Sequence, residues 1–246
     1  MRIAFGIILL LAISTSCKKA EDRTCAKTAG EETSVEIPLD SFDKVYLHEH
    51  LIYELIQDST DKIVLTGGKN LLNHVLVSVS DGLLDVSNEN RCNFLRSYKK
   101  KIKVEIHFTS LINIHFEGTE PLTNKGKLKF DWLTFLIRDG AGSVTLNMDA
   151  QQIYATISHG WGDFTFSGTA QYANLNIRSN GYCDLYGMDL SDSATVVSNT
   201  QGDIKIKAQG IKLKAQTLSD GDIYFKGVPS ILQFEKLSNG ELIDAN

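Results

Sequence analysis

The chain has 246 residues, 42% of them hydrophobic and 22% charged, with only 3 prolines and 19 glycines. That is ample for a hydrophobic core and excludes a disordered or collagen-like polypeptide. A formal net charge of −5 carries no electrostatic footprint for nucleic acid, which is not expected as a partner.

The N-terminus reads as an export signal. Met1-Arg2 precedes an almost continuous apolar run from Ile3 to Ile13, too short for the ~20 residues that cross a bilayer but suited to a signal peptide. Ser14-Thr15-Ser16-Cys17 then resembles the lipobox of a bacterial lipoprotein, with Ser14 standing where leucine is usual. The resemblance implies removal of residues 1–16 and a diacylglycerol on Cys17, anchoring the protein in the outer membrane on its periplasmic or cell-surface face. Residues 17–34 are polar and without period, as expected of a tether. Cys25, Cys92 and Cys183 remain, so at most one bridge forms within the chain. Cys25–Cys92 is the expected pair, worth about 4 kcal/mol in the loop-entropy model, with Cys183 left as a buried thiol.

From Val35 onward the pattern is β throughout, and a single domain is expected over 35–240. The stretches 44–56, 62–68, 75–87 and 101–108 are rich in β-branched and aromatic residues, separated by turn signals such as Gly67-Gly68 and Asp81-Gly82. From about residue 131 the chain repeats itself. LTFLIRDGAGSVTLNMDA (133–150) aligns with IYATISHGWGDFTFSGTA (153–170) at a shift of 20 without a gap. Related units follow at 173–190, 195–210 and 213–229, with Cys183-Asp184 displaced by one residue, which predicts an insertion or bulge in that turn.

A period near 20 with two strands per repeat is the signature of a β-solenoid. The predicted fold is all-β, a right-handed β-solenoid (β-helix) with coils of about 20 residues, irregular over 35–130 and regular over 131–235. Alternation predicts one inward column of Phe135, Ile137, Ala155, Ile157, Leu175, Ile177, Val197, Ala215 and Thr217. A second column holds Val144, Leu146, Phe164, Phe166, Leu185, Ile204, Ile206, Ile223 and Phe225. Pro229, directly after the last unit, reads as a stop.

The Gly-Asp units ending in GDIYFKGVP, with FDKVYL near residue 42 and the long segment 77–111, resemble the putative auto-transporter adhesin, head GIN domain family of bacterial surface proteins over about 40–240. Asn-x-Cys-Asn at 90–93 is similar to a Bacteroidetes lipoprotein branch that also carries an N-terminal cysteine near Cys25, which supports the Cys25–Cys92 pairing. The family implies surface adhesion and brings no catalytic residues.

Four clusters are candidates for chemistry. Asp163, Asp203 and Asp222, with Asp184 nearby, form a carboxylate ladder for Ca²⁺ unless the glycines supply unusual backbone angles and the aspartates bond the turn amides; no metal or other cofactor is assigned. His48-Glu49-His50 places both imidazoles on one strand face, as half of a zinc site or as exposed histidines. Arg91, Arg96, Lys99, Lys100, Lys101 and Lys103 form the one basic cluster, suited to acidic polysaccharide or to protecting a strand edge. Tyr154, Trp161, Tyr172 and Tyr182 fall near one side of successive coils, where they stack on sugar rings or pack on the sheet.

No nucleophile elbow, zinc-protease motif or phosphate loop occurs. The expected protein is a non-enzymatic, lipid-anchored envelope protein that binds a glycan or protein through its long faces, with Arg96, Lys99, Lys100, Lys101, Trp161 and Tyr182 as candidate contacts. The alternatives are a polysaccharide-processing enzyme on a β-helix and a purely structural protein whose coils stack end to end.

Overall fold

The computed structural model describes residues 28–90 and 101–246. It is 65% strand and 2% helix, a β-solenoid of about 7 turns with coils ~20 residues apart. Among the described residues no helix is long and apolar enough to cross a membrane. Each regular coil runs along a first face, turns tightly, returns along a second face and bends back at a corner. The long strands β11 (Ser143–Ile157), β12 (Asp163–Ser179) and β13 (Tyr182–Thr200) each begin on the second face and end on the first.

Two parallel ladders result. The first face stacks β10 (Leu128–Ile137) on the later halves of β11, β12 and β13, then β15 (Lys212–Thr217) and β17 (Ile231–Lys236). The second face stacks the early halves of β11, β12 and β13 with β14 (Ile204–Lys207), β16 (Ile223–Lys226) and β18 (Leu242–Asp244). Like residues lie on like, with Phe135 over Ala155 over Leu175 and Val144 over Phe164 over Cys183. Every one of these is buried, and Phe135, Phe164 and Phe166 meet at ring centroid distances of 4.5–5.5 Å. Each coil therefore covers the apolar face of its neighbour.

The N-terminal coils are irregular, as expected, because the chain stacks them out of order. β2 (Lys44–Leu47) lies between β6 (Leu83–Asn88) and β8 (Asn113–Phe116), and β3 (Leu51–Gln57) lies between β7 (Ile102–Phe108) and β9 (Leu122–Lys125). Antiparallel strands close this end. β5 (Val75–Ser80) covers β6, while β4 (Lys62–Gly68) covers β7 and is itself covered by β1 (Glu32–Pro38). The short helix α1 (Lys69–Leu72) adds buried Leu71 and Leu72. On this rim Asp58 accepts from the His107 ring at 2.6 Å and from the Thr60 amide at 2.8 Å.

Four sequence expectations are corrected. The turn at 180–182 is short rather than long: Asp163 pairs with Tyr182, and the extra residues enter as bulges later in β13, between Asp184 and Gly187 and between Leu190 and Ser193. Those bulges shift the register, so Val196 and Ser198 point inward and Val197 pairs with the outward Asn176. Pro229 does not stop the fold, because β17 and β18 add a further parallel coil beyond it. The repeated turn glycines do not serve an unusual backbone angle either. A Cβ on Gly202 would overlap the carbonyl of Gly181, and one on Gly221 that of Gly202. The glycine column exists because successive turns lie in backbone contact, whereas left-handed angles occur elsewhere, as at Gly160 with φ +96.

After β13 the spacing falls to 19 residues, with Ser198 over Thr217 over Lys236. At the column occupied by isoleucine in earlier coils, the Ser198 hydroxyl donates to the Gly221 carbonyl at 3.1 Å and that of Thr217 to Gly240 at 2.9 Å. In these shorter coils buried hydroxyls satisfy the turn carbonyls of the next coil.

Two measurements check this architecture. Ile157→Asp places an unpaired charge in a fully buried column and is expected to abolish cooperative thermal unfolding, whereas Thr156→Asp on the outward side leaves the melt within a few degrees. The hydrogen bonds from His107 and Thr60 hold the Asp58 carboxyl down at about 2. A depressed carboxyl stabilises the fold above its unfolded value of ~3.9, and that contribution is lost as pH falls toward the folded value. Carboxyl NMR titration of Asp58 should show that low midpoint, and His107→Ala should return it toward ~4.

Candidate functional site

Among the described residues, Lys101, Trp161 and Tyr182 lie along the turn edge and do not form one site there. Lys101 donates to Glu120 at 2.8 Å, and Lys103 sits between Glu54 and Glu105 at 2.9 Å from each. The hydrogen bond to Lys103 pulls the Glu105 carboxyl below the ordinary carboxylate range, and the bonds to Glu105 and Glu54 push the Lys103 ammonium up. Arg91, Arg96, Lys99 and Lys100 lie outside the described residues, as do Cys17, Cys25 and Cys92. Trp161, in the turn before β12, is 71% exposed, and Tyr182 at the start of β13 is 48% exposed. Cys183 is free and fully buried, and burial pushes its thiol up, away from the reactive thiolate.

The aspartate column is interrupted: Tyr182 stands between Asp163 and Asp203, and only Asp203 and Asp222 fall on successive coils. Asp163 is flanked by Ser143 and Tyr182, while Asp184 stands in the next column between Thr165 and Lys205. Asp163 accepts from the Ser143 hydroxyl at 2.9 Å, and Asp222 caps the Glu241 amide at 2.8 Å. Among the described residues no three potential metal ligands converge. The paired histidines separate as well. His48 follows β2 and faces Asp85 at 3.2 Å, whereas His50 sits at a bend with φ +67 beside Thr119. The left-handed residue rotates the chain between them, so the two rings do not share a face.

The opposite, corner edge holds what sequence reasoning missed. A cleft of about 540 Å³ opens there across three coils. Its floor is the buried pair Leu111 and Phe130. Its wall is Trp132, 47% exposed, whose indole stacks on Tyr154 at 4.7 Å with planes 19° apart. The indole N–H donates to the Thr134 hydroxyl at 3.0 Å, so the ring is held at its edge and on one face. Tyr154 continues the row to Tyr172 in an edge contact of 5.8 Å. The expected aromatic row therefore divides: Tyr154 and Tyr172 join Trp132 on the first face, while Trp161 and Tyr182 belong to the turn edge.

Planar polar groups rim the cleft. Gln57 reaches across from β3, accepting from the Lys129 amide at 2.7 Å and donating to the Lys129 carbonyl at 3.2 Å. Gln151 donates to Asp131 at 3.0 Å, and Asp149 accepts from Lys127 and from Thr169, both at 2.6 Å. The Lys127 bond holds the Asp149 carboxyl below its ordinary range. That carboxylate is kept ionised, whereas a general acid requires a raised value. One signal for this site was present in the sequence: Asp131-Trp132 puts two consecutive residues outward, breaking the alternation of β10.

Comparisons with known proteins follow this architecture. Residues 41–229 match the family model described as putative auto-transporter adhesin, head GIN domain. Among solved structures, a putative adhesin from Bacteroides fragilis NCTC 9343 is similar at 23% identity and TM-score 0.77, over 86% of this chain and 96% of that one. A putative adhesin from Parabacteroides distasonis ATCC 8503 is similar at 20% identity and TM-score 0.63, over 87% and 98%. A protein described as a putative lipid binding protein from the same organism is similar at 16% identity and TM-score 0.63, also over 87% and 98%. No curated protein matches the sequence.

The stacking makes a spectroscopic prediction. Tyr154→Ala should free the second face of the Trp132 indole, shifting its emission to longer wavelength and raising acrylamide quenching, with little change in melting temperature because both rings lie on the outer surface.

Proposed function

The chain belongs to the putative auto-transporter adhesin, head GIN domain family, and from that premise we propose that it is a lipid-anchored envelope protein whose solenoid binds another macromolecule, a glycan or a protein, without catalysis. One observation carries the reading: an exposed tryptophan, held in place by Tyr154 and Thr134, walls a cleft at the corner edge of an otherwise regular solenoid. Fixed aromatic rings with apolar bodies are the usual anchors of recognition surfaces, because little side-chain entropy is lost when they bind. The ionised Asp149 suits a contact residue better than a proton donor. Lys101, Trp161 and Tyr182 are proposed as further contacts along the turn edge, and Arg96, Lys99 and Lys100 as contacts by their charge.

The anchor belongs to the same proposal. Lipidation at Cys17, and a Cys25–Cys92 bridge tying the tether to the body, would hold the antiparallel-capped end toward the membrane. An end-to-end assembly is favoured by one observation, the exposed Ile231, Leu232 and Phe234 of β17. Lys236 occupies an inward position of that coil, over Thr217, and an inward charge opposes strand addition.

Cys17→Ala is expected to move the protein from the detergent phase to the aqueous phase on fractionation, and unchanged partition would overturn the anchor. Non-reducing mass spectrometry of the mature protein should recover a Cys25–Cys92 peptide; a free Cys25 would remove the bridge. On arrays of glycans and matrix proteins, the Cys17→Ala chain should bind in a manner reduced by Trp132→Ala or by charge reversal at Lys99–Lys101. A blank array would move the reading to a structural role, and a cleaved glycan to an enzyme.

A further inference from the structure

Resting on the recognition reading above, we propose that the cleft beside Trp132 is a saccharide subsite that takes the apolar face of an uncharged pyranose chain. The indole is fixed by Tyr154 on one face and by Thr134 at its N–H, and it borders the cleft. A pyranose ring presents a face of polarised C–H bonds, which complements the negative face of an aromatic ring. Its hydroxyls radiate in the ring plane and are matched by planar amides and carboxylates at the sides of the platform. Gln57, Asp131 and Gln151 are such groups, and all three line the cleft. Each is already oriented by a neighbour, Gln57 by the Lys129 backbone and Asp131 by Gln151. The Gln57 amide hydrogens are taken by the Lys129 and Thr109 carbonyls, but its Oε1 keeps a second lone pair, Gln151 a second N–H and Asp131 further acceptor positions for a sugar hydroxyl.

Dimensions agree with that occupant. The cleft volume of about 540 Å³ lies within the ~300–1,000 Å³ of small-ligand sites. It is lined from three coils, at 110–112, 129–132 and 149–151, and strand spacing of ~4.8 Å makes such a span about 10 Å long. The long axis follows the stack, so an extended oligosaccharide would run across the coils toward Tyr154 and Tyr172.

Other occupants fit less well. A peptide added as a strand would need the edge of β10 beside the cleft, where β8 pairs only from Thr134 to Ile137 and the Gln57 amide already takes the Lys129 N–H and carbonyl. An acyl chain needs an apolar tunnel, and this cleft is rimmed by amides and carboxylates. A phosphate or sulfate would meet Asp149 already paired with Lys127, and Lys129 offset by Asp131, a set with no net positive charge to hold an anion.

The experiment uses the full chain carrying Cys17→Ala, so that no lipid interferes. The sequence holds two tryptophans, and Trp161→Phe leaves Trp132 as the sole indole reporter. Cellotetraose, chitotetraose, mannotetraose and β-1,3-glucotetraose are titrated against emission and by calorimetry, with inorganic phosphate and phosphatidylglycerol vesicles as controls. At least one tetrasaccharide should give a saturable change that neither control reproduces. Trp132→Ala and Gln57→Ala should each weaken it tenfold or more by calorimetry, Trp132→Tyr should retain part of it, and melting temperatures should stay within a few degrees. No response to any tetrasaccharide, or undiminished affinity in Trp132→Ala, overturns the assignment. If the tetrasaccharides fail while Trp132→Ala still reduces binding to arrayed proteins, the saccharide falls and the recognition reading stands. If both kinds of binding are absent, both fall.

Discussion

Everything in this molecule depends on one repeated contact, the backbone of each coil lying in register on the backbone of the next. Parallel hydrogen bonding at ~4.8 Å leaves no room for a side chain wherever a turn stacks on a turn. The column Gly181, Gly202, Gly221 and Gly240 is the consequence, and it explains why the chain repeats glycine at this point and tolerates variety around it. Inside, the same register places each apolar residue over its counterpart, so burial is completed coil by coil rather than around a single centre. Where the register slips, in β13, the interior adapts: isoleucine gives way to Ser198 and Thr217, whose hydroxyls satisfy turn carbonyls of the next coil.

The same constraint decides where function can reside. Both long faces are sheets whose backbone groups are consumed by neighbouring coils, so only outward side chains and the two edges are available to a ligand. The turn edge is occupied by short polar contacts, such as Lys101 with Glu120 and Asp222 with the Glu241 amide. The corner edge is looser. There the bend from the second face to the first is covered unevenly, and the loop at 110–112 leaves the cleft walled by Trp132. The cleft lies between the out-of-order N-terminal stacking of β2, β6 and β8 and the regular repeats from β10 onward.

The two ends differ in a way that bears on orientation. The N-terminal end is shut by antiparallel β1, β4 and β5 and by the buried leucines of α1, which blunts its edges against further pairing. At the other end the last coil keeps apolar Leu232 and Phe234 exposed but adds Lys236 and Asp244 in the inward columns. Charge in those positions limits the growth of the sheet, so the rod is built to be a unit of finite length.

The repeat pattern alone determined the class of fold, the coil length and most of the inward columns, because stacking in register forces like residues to recur at the period of the coil. It also marked Trp161 and Tyr182 as exposed aromatics, since they fall in the turn and at its exit. Tertiary structure decided the rest. A bulge of one or two residues inverts the side-chain direction for a whole strand segment, which is why Val197 was misassigned. The out-of-order stacking of β2 between β6 and β8 carries no local signature, since each strand has the same alternation whichever neighbour it meets. Of the cleft only the broken alternation at Asp131-Trp132 was legible: Gln57, Ile112, Trp132 and Gln151 are far apart in the chain and meet only because the stacked coils and a corner bring them together.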